Sequence, residues 1–75
     1  MLKNVVIKDI YNRSVFIGDK CAVLVKRYGF RGIDRAYLMR GTYMGKGQYG
    51  YEFIVTNDNG YKATIRMREP QVAKH

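Results

Sequence analysis

The 75-residue sequence predicts an all-β domain, a small closed or nearly closed barrel of about five short antiparallel strands. Three observations predict it. Short runs of β-branched and aromatic residues recur between Gly and Asn punctuation. Residues 61–68 alternate strictly between apolar and polar. Only residues 36–40, with Ala, Leu, Met and Arg, suit a helix as well as a strand. Closure is expected because a short open sheet leaves unpaired edges.

In chain order, Val5-Val6-Ile7 and Val15-Phe16-Ile17 are strand-like runs flanking a turn at Asn12-Arg13-Ser14. Gly18-Asp19-Lys20 leads into a strand at Cys21–Lys26, too short and too β-branched to favour a helix. The stretch KRYGFRGIDR, residues 26–35, is expected to be a connecting loop in which Gly29 and Gly32 serve turn geometry. Ala36–Arg40 resumes the extended chain through Thr42-Tyr43-Met44, since Gly41-Thr42-Tyr43 argues against a helix there. Gly45-Lys46-Gly47 is expected to be a turn and Tyr49–Thr56 a strand.

The hairpin after Thr56 has two possible registers. A two-residue Asn59-Gly60 turn sets Phe53 opposite Arg66 and builds an exposed aromatic-basic face. A three-residue loop, Asp58-Asn59-Gly60, sets Phe53 opposite Ile65, Tyr51 opposite Met67, Glu52 opposite Arg66 and Thr56 opposite Lys62. The second is preferred: it sorts both faces, and Asn57 suits the first position of a type I turn that Gly60 closes in αL. Tyr51 and Phe53 are then core. Pro70 ends the last strand, and a short tail is expected from about residue 70.

Several function classes are disfavoured. About 47% of the residues are hydrophobic, enough for a compact core rather than disorder. Cys21 stands alone, so no internal disulfide forms, and its apolar neighbours predict a buried, inert thiol. No Cys/His spacing suits a metal, no Gly-rich run matches a phosphate-binding loop, and no cofactor is implied. The sole His is the last residue, expected to fray, so no nucleophile–His set can be assembled. The six carboxylates are scattered, with Asp19 and Asp58 in turns and Asp34 able to pair with a neighbouring Arg. A non-catalytic protein is expected. Without a signal peptide or a run long enough to span a bilayer, a soluble cytoplasmic protein with no membrane partner is expected.

The charge is the most informative feature. Net charge is +8, divided as +2, +5 and +1 over successive thirds. Asp34 is the only acid among the seven charged residues from Lys26 to Lys46. Such concentration favours an acidic partner. One candidate is nucleic acid, gripped by Lys26, Arg27, Arg31, Arg35, Arg40 and Lys46, with Arg66 and Arg68 extending the groove. Tyr28, Phe30, Tyr43 and Tyr49 then supply rings for unpaired bases. The other is an acidic protein surface met by the same residues, as for an adaptor or inhibitor of the kind a phage or mobile element encodes. Edge strands and exposed Tyr and Met also leave homo-oligomers open.

Two resemblances are carried by specific segments. Ile17-Gly18-Asp19-Lys20-Cys21-Ala22-Val23 resembles the hydrophobic-Gly-Asp entry to the first long strand of SH3-like small barrels of the Tudor and KOW kinds. Arg35–Leu38, Tyr51–Thr56 and Tyr61–Met67 follow as its next three strands, so the likeness covers roughly residues 15–70. It implies a small barrel that serves protein or nucleic-acid partners alike. Lys46-Gly47-Gln48-Tyr49-Gly50-Tyr51-Glu52-Phe53 is similar to the basic-Gly-aromatic strand of cold-shock and RNA-recognition domains, where the aromatics stack on bases. Here Gln48 is inserted and Glu52 adds a negative charge.

Overall fold

The computed structural model describes residues 2–75, with Ile33 and Asp34 described by backbone alone. Seven strands run β1 (Ile7–Lys8), β2 (Ser14–Val15), β3 (Lys20–Gly29), β4 (Gly32–Gly47), β5 (Gly50–Thr56), β6 (Lys62–Met67) and β7 (Val72–Lys74). The chain is all-β, as expected. β1 and β2 form a two-stranded ribbon, and the other five form an antiparallel sheet in the order β6-β5-β4-β3-β7. Residues 36–40 are strand, not helix.

Closure is only partial. β6 and β7 are the two edges of the main sheet, and no ladder joins them. Yet four residues, Arg68–Gln71, connect them. That link spans about 17 Å at most, whereas five flat strands set their outer members about 19 Å apart. The sheet therefore curls, and at the end of the link Leu24 N–H donates to Gln71 O at 2.9 Å, continuing the β3–β7 pairing by one residue. The curl is tilted. Through the ladders Met67 aligns with Tyr51 and Lys46, while Leu24 aligns with Leu38, eight residues earlier on β4. Strand tilt and stagger of this kind accompany a sheet rolling toward a barrel.

The hairpin after β5 adopts the three-residue register. Phe53 faces Ile65, Tyr51 faces Met67, Glu52 faces Arg66 and Thr56 faces Lys62. Asn57 Oδ1 accepts from Asn59 N–H and Tyr61 N–H, and Gly60 takes φ +84°. One face of each strand thereby enters the core of Ile7, Val15, Cys21, Val23, Tyr43, Phe53, Val55 and Val72. Tyr51, Ile65 and Met67 pack against it.

Three expectations about turns and ends are corrected. Residues 26–35 are not an open loop: Lys26–Gly29 continue β3, Gly32–Arg35 begin β4, and only Phe30-Arg31 turn. Gly45-Lys46-Gly47 is strand, and the turn is Gln48-Tyr49. Gly45 is needed for close approach at a bulge. It takes φ +113°, and a Cβ there would lie 2.5 Å from Lys3 O, where the N-terminal segment bridges to Lys46. Finally, the expected tail returns as β7, pairing Val72 with Val23 and burying it almost fully. Even the His75 backbone is tied, its N–H donating to Lys20 O at 3.0 Å.

Asp9, given no role by the sequence, holds that end of the fold. Its Oδ1 accepts from Tyr11 N–H (2.9 Å) and Arg13 N–H (2.7 Å). Its Oδ2 accepts from Arg13 Nε (2.8 Å) and Lys74 N–H (2.9 Å). Asp19 caps the next turn by accepting from Phe16 N–H and pairs with Lys74 Nζ at 3.2 Å. The β1–β2 turn, which contains Asn12 at φ +62°, is thus fastened to β7.

Cys21 is fully buried on β3, and burial pushes its thiol pKa up to about 11. At pH 8 only about one thiol in a thousand is then thiolate. The native protein should resist alkylation by iodoacetamide at that pH and react at once in strong denaturant, as mass spectrometry of timed samples would show. Equal rates in both states would contradict a buried thiol.

Candidate functional site

β5 borders β4 only from Arg40 to Gly47, and β7 borders β3 only from Cys21 to Val23. Beyond these limits, apart from the bond from Leu24 N–H to Gln71 O, β3 and β4 pair only with each other. Residues 24–29 and 32–39 therefore form a two-stranded arm projecting past the sheet. At its root Val25 and Met39 pack, partly buried, against the core, while none of the arm's described residues is among the fully buried ones. Lys26 to Gly32 are all exposed, and Phe30 stands entirely in solvent at the turn. An apolar ring so placed gains nothing for the fold.

Alternation along the strands fixes what each face of the arm carries. Arg27 pairs in register with Arg35, so two exposed guanidinium side chains sit directly opposite each other. Like charges in that position are destabilising. A register shift follows immediately, because Tyr28 faces Ile33. Lys26 and Tyr28, one residue out of phase with Arg27, belong to the other face, and Arg31 joins Phe30 in the turn. Among the described side chains, none forms an ion pair with Lys26, Arg27, Arg31, Arg35, Arg40 or Arg68. The expected pairing of Asp34 with an arginine lies outside the described residues.

The curl of the sheet brings a second set of predicted residues to the arm. The end of β6 meets the root of β3, and a cleft of about 510 Å³ opens between them. Leu24, Lys26 and Tyr28 form one wall, and Arg66, Met67, Arg68, Glu69 and Gln71 form the other. Its volume is in the range of about 300–1,000 Å³ usual for ligand clefts. On the β5 side of the arm, Tyr37, Leu38, Met39 and Arg40 line a separate cleft with Thr56, Asn57 and Asp58.

Not every predicted residue belongs here. Tyr43 is fully buried, its ring tilted on Phe53 with centroids 5.3 Å apart and its hydroxyl donating to Val5 O. It cannot stack on a partner, and the reason is packing: the N-terminal segment covers it. Lys46 lies at the far end of β4 from the arm, its ammonium 5.3 Å from the Tyr51 ring centre. Tyr49 is exposed in the β4–β5 turn, also at that end. Arg66 is partly engaged, with Nε 3.6 Å from Glu52 Oε2. The structure thus gathers Lys26, Arg27, Tyr28, Phe30, Arg31, Arg35, Arg66 and Arg68 around the arm, sets Arg40 at its other flank, and separates Lys46 and Tyr49 from it.

Leu24, Met67, Glu69 and Gln71 were not anticipated as site residues. Leu24 and Met67 are ordinary strand apolars by pattern, and only the curl brings them to one cleft. Among the described residues no helix is long and apolar enough to cross a membrane. Comparison with known proteins finds no matching family model, no matching curated protein and no matching solved structure.

Proposed function

We propose that the protein is a non-catalytic nucleic-acid-binding module that grips the phosphate backbone with the β3–β4 arm. The observation that carries this reading is the register pair Arg27–Arg35, two like charges set opposite each other on the exposed outer part of the arm, beyond the core contacts of Val25 and Met39. A phosphate chain laid between such side chains turns that repulsion into attraction and releases counterions. Phe30 at the tip offers a ring at no cost to the fold. The scaffold reading we favour is an SH3-like small barrel, supported by the β3-β4-β5-β6 meander, the return of β7 to β3 and the tilted curl.

The test is fluorescence anisotropy with labelled DNA and RNA over a salt titration. Each phosphate contact contributes roughly 0.7 (single strand) to 0.9 (duplex) to the slope of log affinity against log salt. The double substitution Arg27→Ala with Arg31→Ala should reduce that slope by about 1.4–1.8 and, by relieving the repulsion with Arg35, leave the melting temperature no lower. Absence of binding even at low ionic strength would overturn the proposal. The arm's charge would then point to an acidic protein surface, to be sought by affinity capture.

A further inference from the structure

We propose that the cleft between the arm and the end of β6 receives one unpaired nucleotide, making single-stranded nucleic acid the preferred ligand. This rests on the reading that the protein binds nucleic acid. Tyr28 is exposed on the arm, and it shares a face and a wall with Lys26 and the half-buried Leu24. Across the cleft stands the half-buried Met67, which aligns in the sheet with Tyr51 on the core side. A flat ring entering the cleft meets the Tyr28 face on one wall, with Leu24 and Met67 as apolar lining on either side.

The charges follow the same plan. Lys26 on one wall and Arg68 on the other are exposed cations without an ion-pair partner among the described side chains. Both can reach the phosphate of a nucleotide whose base lies between them. Glu69, the acid of the cleft, repels phosphate but accepts hydrogen bonds from an exocyclic base amine. An aromatic wall, two cations and one acceptor match the parts of a nucleotide. A paired base inside a duplex presents only its edges to a groove, so its face cannot reach Tyr28. Single strands offer that face, and stacking makes the contact tolerant of sequence.

The experiment compares single-stranded and duplex oligonucleotides of equal length at one low salt concentration, using the wild type, Tyr28→Ala and Tyr28→Phe. Tyr28→Ala should weaken single-strand binding by about 10-fold or more and duplex binding by less than about twofold. Tyr28→Phe should retain single-strand binding, because the ring remains. Far-UV circular dichroism checks that the variants fold, which the exposure of Tyr28 leads one to expect. If duplex binds as tightly as single strand, or Tyr28→Ala changes both ligands alike or neither, the cleft proposal fails while nucleic-acid binding stands. If the wild type binds neither ligand, the functional reading itself fails.

Discussion

Truncating Tyr43 to Ala should destabilise the protein by about 3–5 kcal/mol. A chain of this size has a total stability of roughly 4–11 kcal/mol, so the variant should be largely unfolded or close to it. The ring is fully buried against Phe53 and sits where β4 crosses the centre of the sheet. Its removal leaves a cavity that a sheet pinned on both sides cannot close by small shifts. The hydroxyl donates to Val5 O, so truncation also orphans that carbonyl and loosens the N-terminal segment. Tyr43→Phe separates the two effects. It keeps the ring and loses one hydrogen bond, at a cost of about 1 kcal/mol. Urea unfolding followed by circular dichroism reads both variants. A loss for Tyr43→Ala no larger than that for Tyr43→Phe would contradict the packing described.

Asp9→Asn should lower the melting temperature by several degrees at neutral pH, and that deficit should vanish in acid. Burial alone raises the pKa of this carboxyl. The hydrogen bonds from Lys74 N–H, Arg13 N–H, the Arg13 side chain and Tyr11 N–H outweigh it and bring the pKa from 3.8 down to about 2. A depressed carboxylate pKa stabilises the fold fully above 3.8, and the contribution is lost as pH falls toward about 2. The amide in Asp9→Asn presents a donor where the carboxylate met donors, and it does not titrate. Thermal melts of both proteins from pH 7 to pH 2 should therefore converge below about 3.8. A gap of constant size down to pH 2 would show that the charge at this position does not matter.

What could be read from the sequence follows how local each determinant is. The β5–β6 register was legible because alternation and the Asn57–Gly60 turn lie within one hairpin. The outer part of the arm, residues 26–35, was misjudged as a loop because its described side chains are all exposed, so no apolar alternation marks them, and Gly29 and Gly32 imitate loop punctuation. Gly45 looked like a turn residue, but its need comes from Lys3, more than forty positions away. Tyr43 looked available for stacking because its cover, Val5, is equally remote. Lone Val72 gave no strand signal before it found β3. Asp9 could have been suspected. An Asp three residues before a turn position that tolerates αL, with Arg following, is the pattern of a side chain closing its own turn. Its reach to Lys74 could not have been read from sequence.

The division between arm and core also has an evolutionary consequence. Packing constrains Val23, Tyr43, Phe53 and Val55 in any descendant of this chain, since each is wholly or almost wholly buried. The exposed side chains of Lys26, Arg27, Tyr28, Phe30 and Arg31 face no such packing constraint, since none of them enters the core. Drift should erase an aromatic as exposed as Phe30 and a pair as repulsive as Arg27 and Arg35 unless something outside the molecule selects them. The substitutions that relatives tolerate along the arm would therefore record the history of its partner, while those in the core would record only the history of the fold.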